Sequence, residues 1–348
     1  MKTKNKHRKV YVRLILVASV CIAGFLGIIG TNNGNGIEIV KPYFLGYMDE
    51  NDQLRIRWSE NGSAWQSSSM ANTEIKYGPG ITCDETGILF LSVFCTTDGR
   101  AQFSKTTRAD DWENPSHIGN GHMGEIESAV SLIYLHQYDY VMAYLHDDRA
   151  KYIILNNTGT NPDFGEDITP VLGVTNNNLV DRPALVRLHD KVLAGWINDD
   201  NEIELVIGTI EEGVLTWTPG YKFSNTEEGF EEPHSVIDLA SDNDKFYLAC
   251  LRTNEHSDIL EEYSVFIYTS ADGLHWTKLT SRHIGVSRIR TLSIAANNAD
   301  TIMLAESSIY FQRVMRYNGS LWEELSDEIV FGSNLNKKGE DLTLFKQY

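Results

Sequence analysis

Charged and polar side chains recur just before or after short apolar segments along this 348-residue chain. If these segments are strands, their ends could bring the polar side chains together at one site. Arg182, Arg252 and Arg290 could together bind a carboxylate through charge-assisted, bidentate hydrogen bonds. Other side chains in equivalent places could contact the same ligand: Asp49, Glu127, His146, His234 and Asp341. These residue types predict a polar site for an acidic ligand.

Carboxylates in the same positions indicate a second kind of chemistry. Glycoside hydrolysis uses two positioned carboxyl groups, and Asp181, Glu231 and Glu232 are the candidate catalytic residues. A solvated strand end explains any one of these charges by itself. Their recurrence in most of the repeats described next favours a shared polar funnel.

Tryptophans that follow a turn with Gly, Asp or Asn mark an internal repeat. They are separated by 46 to 59 residues, with one interval of 105 that spans two periods: Trp65, Trp112, Trp217, Trp276 and Trp322. Between them, each unit contains a short apolar strand, a polar turn and a second apolar strand, as in ALVRLHDKVLAGWIN. A repeat of about fifty residues with four antiparallel strands is typical of a β-propeller blade.

The pattern therefore predicts an all-β, six-bladed β-propeller. The first unit lacks its first strand, and the C-terminal segment 340–348 is available to supply it and close the ring. Five or seven blades remain alternatives because the third unit has no tryptophan, and a β-sandwich is the structural alternative.

The stretch SADGLHW, with Ser270, Asp272, Gly273 and Trp276, resembles the Asp-box of the sialidase-like (neuraminidase, or BNR-repeat) propellers. WSENGSAW and RYNGSLW are degenerate versions of the same turn. Asp272 suits hydrogen bonding to nearby amides, Gly273 a positive φ angle and Trp276 packing between blades. The box is thus expected to be structural, on the face opposite to first-strand starts and second-strand ends, where the polar mouth lies.

The resemblance to this family implies the fold more strongly than it implies an activity. The stretch VDRPALV around Arg182 is similar to the Arg-Ile-Pro stretch of the first sialidase triad arginine, but it lacks the Ile and lies in mid-chain. None of the 16 tyrosines is identified as a nucleophile by motif. We expect a propeller that binds a glycan or other extracellular ligand without turnover. A glycoside hydrolase or lyase is the alternative.

The N-terminal segment predicts export. Six basic residues precede an uncharged, largely apolar run at 14–30, which is typical of a signal peptide or a signal anchor. The seventeen residues of this run lie at the short end of a membrane span, so cleavage and anchoring stay open. We divide the chain into this segment (1–30), a linker (31–40) and the propeller (41–348), in a secreted or cell-surface protein.

The remaining composition limits the partners. Beyond residue 30 the chain carries 24 basic and 48 acidic side chains, so we expect no nucleic-acid partner and membrane contact only through the N-terminal segment. Cys83, Cys95 and Cys250 have neither a disulfide-framework count nor metal-ligand spacing. No cofactor or metal is expected. Calcium is the alternative, through oxygen ligands of the acidic loops at 49–52, 199–201 and 242–244.

Overall fold

Strands make up all the regular secondary structure in the part of the chain that the structure, a computed structural model, describes. That part is 42–49, 51–84, 86–118, 126–136, 139–147, 149–155, 166–167, 182–198, 200–212, 214–223, 233–254, 262–285, 289–297, 301–308, 312–325 and 343–346. No helix within it could cross a membrane. The predicted N-terminal segment and linker lie outside it.

Twenty-four strands in the described residues form six antiparallel sheets of four. Blade 1 contains β1 (Tyr43–Met48), β2 (Leu54–Ser59), β3 (Gln66–Ser67) and β24 (Thr343–Lys346). Blade 2 contains β4 (Ile75–Cys83), β5 (Phe90–Thr96), β6 (Ala101–Thr106) and β7 (Ser116–His117). Blade 3 contains β8 (Ser131–His136), β9 (Asp139–His146), β10 (Arg149–Leu155) and β11 (Glu166–Asp167).

The second half of the chain repeats the arrangement with longer strands. Blade 4 contains β12 (Ala184–Leu188), β13 (Lys191–Ile197), β14 (Ile203–Glu211) and β15 (Val214–Phe223). Blade 5 contains β16 (Pro233–Ser241), β17 (Phe246–Asn254), β18 (Glu262–Ser270) and β19 (Thr277–Gly285). Blade 6 contains β20 (Ile289–Asn297), β21 (Thr301–Ser308), β22 (Gln312–Tyr317) and β23 (Trp322–Glu324). The predicted six-bladed propeller is confirmed.

Blades 2 to 6 are built from strands in chain order, and blade 1 is the exception. Its strand order is β24, β1, β2, β3, with Phe345 opposite Phe44 and Leu344 opposite Leu45. A C-terminal strand thus lies where the other blades have their first strand. That this pairing fastens the ring stays a prediction.

The apolar core is divided among the junctions between blades. Six clusters of buried side chains each join one blade to the next, including blade 6 to blade 1. At the first junction, for example, Phe44 of blade 1 packs on Phe90 and Trp112 of blade 2, with ring centroids 4.6 and 5.9 Å away. Burial of apolar surface at these junctions is therefore what holds the blades side by side.

The repeated tryptophans follow one rule. Each packs at the junction with the preceding blade, so that Trp276 of blade 5 joins the cluster shared with blade 4 and Trp65 of blade 1 joins the cluster shared with blade 6. Trp112, Trp217 and Trp322 do the same at their own junctions. The expected packing of Trp276 between blades is observed, and it explains why the tryptophan recurs.

Inner strands are apolar on both faces because a blade covers each side. All seven residues of β5 are buried, whereas only two of the ten residues of the outer β15 are buried. Inner strands also approach closely: a Cβ at Gly80 of β4 would lie 2.8 Å from the carbonyl oxygen of Val130 in blade 3. This packing positions the first strands around a central space.

Candidate functional site

A central cavity of about 530 Å³ lies on the axis of the propeller. First strands of blades 2 to 6 and β24 of blade 1 supply its walls. The lining residues are 80–84, 130–135, 185–189, 238–243 and 293–295, with Arg182 and Leu344. Its size lies within the range of small-molecule sites.

Arg182 and Asp238 face each other in this cavity. Arg182 precedes β12 of blade 4, and its Nη2 lies 3.9 Å from Oδ1 of Asp238 on β16 of blade 5. Arg182 and Asp238 are only 4% and 8% exposed, so both side chains are largely shielded from solvent. A guanidinium in this setting interacts more strongly with an anion than it would at the surface.

Asp238 is also bonded to blade 6. Its Oδ2 accepts hydrogen bonds from the Ser293 hydroxyl and from the Ile294 amide, the latter at 3.0 Å. Ser293 Oγ in turn accepts the Leu344 amide of β24 at 2.9 Å. Burial raises the pKa of Asp238, and the charge of Arg182 and the hydrogen bonds oppose that rise only in part. The network thus links blades 4, 5 and 6 and the C-terminal strand around a carboxyl group that is costly to ionise.

The end of the cavity formed by the first-strand ends is held by local bonds. The guanidinium of Arg187 donates to the carbonyl oxygens of Tyr134, Leu135 and His189, and so joins blades 3 and 4. Asp242 accepts the amides of Asp244 and Lys245 in its own turn and the hydroxyl of Tyr247 on β17. The hydrogen bonds of Arg187 and Asp242 therefore indicate that the polar side chains at this end stabilise the fold.

The predicted arginines do not all reach the cavity. Arg182 lines it, whereas Arg252, 4% exposed, lies within blade 5 with its guanidinium 4.6 Å from the Phe266 ring centroid. The side chains of Arg290 and His234 are outside the described part, although both residues lie in strands. Four candidates are outside the described residues altogether: Asp181, Glu231, Glu232 and Asp341.

Asp49 occupies a hairpin turn. It accepts the amides of Asn51 and Gln53 at 2.9 and 3.0 Å and the Arg55 guanidinium at 2.7 Å. Burial acts to raise the pKa of Asp49, but these three bonds outweigh it and lower the pKa. The local turn therefore accounts for this carboxylate, which also bounds one of the acidic loops weighed for calcium.

Glu127 and His146 are brought together on blade 3. Glu127 Oε2 accepts the amide of Asp147 at 3.0 Å, and His146 Nε2 lies 3.4 Å from Asp147 Oδ2. One ligand atom from each of the three residues lies within 4.8 Å of the others. Glu127 and His146 were predicted from the sequence as ligand-binding residues, whereas Asp147 was not.

The Asp-box lies where its strands place it, in the turn between β18 and β19. Asp272 Oδ1 accepts the amides of Leu274 and His275 at 2.8 and 2.9 Å, and Gly273 has φ +82°. The Gly273 amide donates to Ser270 Oγ, and Trp276 Nε1 donates to the Gly273 carbonyl. Burial acts to raise the pKa of Asp272, but the hydrogen bonds from His275, from these amides and from Ser270 together outweigh it and lower the pKa. Every residue of the motif thus has a partner within the turn.

A second, open depression lies between blades 1 and 2 on the mouth face, with a volume of about 970 Å³. Amide, hydroxyl and charged side chains dominate its wall, among them Gln53, Arg55, Glu74 and Asp98. It is distinct from the central cavity, with which it shares no lining residue.

Asp238, Ser293 and Arg187 are among the cavity residues that strand-end reasoning missed. Each is a polar residue between apolar neighbours inside a first strand, as in VIDLA and LSIA. A polar residue in the middle of a buried strand is uncommon and was the available signal.

Comparison with solved structures shows the same fold at low sequence identity. A variant of the Aleuria aurantia lectin in complex with Fucα1-6GlcNAc is 9% identical, with 84% of this chain and 93% of the lectin covered and a TM-score of 0.54. A lectin from Burkholderia pseudomallei is 9% identical, with coverages of 84% and 96% and a TM-score of 0.50. A Hadza microbial sialidase is 10% identical, with coverages of 73% and 57% and a TM-score of 0.46. No protein-family model matches the sequence, and no curated protein matches it.

Proposed function

We propose that this protein is an exported glycan-binding propeller that holds an acidic sugar in its central cavity without turnover. The observation that carries the proposal is Arg182, a buried guanidinium that lines a ligand-sized cavity next to the carboxyl group of Asp238. Two further points support it: the basic and apolar N-terminal segment, which is typical of export, and the shared fold of the Aleuria aurantia lectin in complex with Fucα1-6GlcNAc.

The choice of an acidic sugar follows from charge. Asp238 is costly to ionise in its buried position, and the positive charge of Arg182 in the same cavity favours a negatively charged ligand group. A ligand carboxylate could form two parallel hydrogen bonds with the guanidinium. The acidic surface of the chain disfavours polyanions such as nucleic acid, so a small ligand with one carboxylate fits best.

Glycoside hydrolysis is the alternative function, and it would use carboxyl groups of the cavity as acid and base. Among the described residues, Asp84, Asp238 and Asp242 line the cavity. Asp84 and Asp242 accept amide hydrogen bonds from their own turns, whereas Asp238 lies next to Arg182. Hydrolysis by the two-carboxyl route requires a second carboxyl group roughly 5 to 10 Å from Asp238.

A glycan array and a panel of chromogenic glycosides, both with the purified protein, test the proposal. Arg182→Ala should weaken binding of acidic glycans at least tenfold, because a charge-assisted hydrogen bond contributes about 1.5 to 3 kcal/mol. Arg55→Ala is the matched control, since it removes an arginine from the depression between blades 1 and 2. Circular dichroism checks that each variant is folded.

The outcomes separate the alternatives. Loss of binding in Arg182→Ala alone supports the central cavity. Loss in Arg55→Ala alone would move the site to the depression between the blades. Release of a chromophore by the wild-type protein would establish a glycosidase, and binding confined to neutral glycans would contradict the role given to Arg182.

A further inference from the structure

We propose that Glu127, His146 and Asp147 form a binding site for a divalent transition-metal ion of the Zn²⁺ class. The site lies on blade 3, at the end of β9, on the same face as first-strand starts. None of its three residues lines the central cavity, so the inference is independent of the ligand proposed there.

The spacing of the three side chains suits one small ion. His146 Nε2 and Asp147 Oδ2 are 3.4 Å apart, and all three ligand atoms lie within 4.8 Å of one another. Metal bonds of about 2.1 Å at a tetrahedral angle place two ligand atoms roughly 3.4 Å apart. The histidine–aspartate pair thus already has the separation that a bound ion would impose, and the glutamate needs only a small movement.

The backbone holds the three residues in place before any ion arrives. Segment 126–130 runs beside the end of β9, where the Glu127 amide donates to the Leu145 carbonyl at 3.0 Å and Ser128 Oγ accepts the Leu145 amide at 3.0 Å. The Asp147 amide then fixes Glu127 through Oε2. An outer hydrogen bond of this kind orients a ligating carboxylate and leaves its other oxygen for the metal.

The mixture of donors selects the class of ion. One imidazole nitrogen and two carboxylates suit Zn²⁺ and its neighbours in the first transition row, whereas Ca²⁺ and Mg²⁺ prefer oxygen ligands throughout. Three protein ligands leave at least one coordination position open. Because the Asp147 side chain is 79% exposed, that position faces solvent.

Isothermal titration of the full-length, metal-depleted protein with Zn²⁺ tests the site, with Co²⁺ absorption as a readout of coordination geometry. We expect one ion per chain and a tetrahedral Co²⁺ spectrum. His146→Ala should lower the affinity at least tenfold, as should the isosteric Asp147→Asn, which keeps the turn and guards against a folding defect. Glu127→Gln should lower it to a smaller extent.

His275→Ala is the matched control. His275 is also exposed and lies 2.7 Å from a carboxylate, that of Asp272, but the described residues place no third metal ligand with this pair. Its loss should leave stoichiometry and affinity unchanged. The inference is overturned if no stoichiometric binding occurs, if His146→Ala and Asp147→Asn bind as the wild type does, or if His275→Ala abolishes binding.

Discussion

At the scale of single residues, Asp238 is the side chain whose environment is most unusual. It is buried on an inner strand, faces Arg182 at 3.9 Å and accepts bonds from Ser293 and Ile294. Because burial outweighs these partners and raises its pKa, the folded protein holds the proton more tightly than the unfolded chain does.

That difference predicts a pH dependence of stability. Above the ordinary carboxyl value of 3.8, the unfolded chain has released the proton that the folded protein retains, so stability from this group falls as pH rises. Asp238→Asn removes the effect. The free energy of unfolding of the wild type minus that of the variant should therefore be larger at pH 4 than at pH 7, by about 1.4 kcal/mol for each unit between the two pKa values.

Urea unfolding at both pH values measures this difference. Asp110→Asn is the control, because Asp110 is exposed and forms a surface ion pair with Arg108. A constant difference between wild type and Asp238→Asn across the range would show that Asp238 has the same pKa in both states.

At the scale of structural elements, the turns on the face opposite to the mouth share one geometry despite different sequences. Asn61 accepts the amides of Ser63 and Ala64, as Asp272 accepts those of Leu274 and His275. Gly62 has φ +79°, and its carbonyl accepts Trp65 Nε1 at 3.0 Å. The degenerate WSENGSAW turn therefore forms the same bonds as SADGLHW, with asparagine in place of aspartate.

Removing the side-chain acceptor should weaken such a turn without affecting the site. Asp272→Ala and Asn61→Ala should each lower the free energy of unfolding by about 1 kcal/mol, because each leaves two amides without their acceptor. Glycan binding should stay unchanged, since the turns lie opposite to the mouth. Thermal unfolding and the glycan array measure the two effects, and loss of binding in Asp272→Ala would contradict a purely structural Asp-box.

At the scale of the whole molecule, blade 1 combines the two ends of the described propeller. Leu344 of β24 is buried in the cluster between blades 6 and 1, and its amide donates to Ser293 of blade 6. β24 also contacts β20 on one side and β4 on the other. The inner ring of strands therefore includes a segment from the C-terminal end.

Deletion of residues 343–348 tests the predicted closure. It should lower stability by more than about 3 kcal/mol, since it removes a buried leucine as well as strand pairing. It should also promote self-association through the exposed edge of β1. Thermal unfolding and light scattering measure both effects, and addition of a peptide of residues 340–348 should reverse them. A chain lacking only Gln347 and Tyr348 is the control, and an unchanged transition in the longer deletion would refute closure by this strand.

The repeat made much of the fold predictable. The recurring tryptophans and the paired apolar segments predicted six blades of four antiparallel strands, because strand patterning and tight turns are local properties of the sequence. The Asp-box turn could be predicted equally well, because its hydrogen bonds join residues at most three positions apart in the sequence.

The central cavity was harder to predict from the sequence than the fold was. Its polar side chains include Arg182, Asp238 and Ser293, which lie on three different blades. No short-range pattern in the sequence connects these three residues. Which residues of an inner strand face the axis depends on register, and a shift of one residue turns every side chain to the other face.

The sequence alone thus determined the blade, its turns and its repetition, all of which arise from short-range periodicity. Only the tertiary structure decided that Arg182 lines the cavity while Arg252 packs within blade 5, and that Asp147 joins Glu127 and His146. The physical reason is that these arrangements depend on how strands and blades pack across large sequence separations, which fixes where each side chain points.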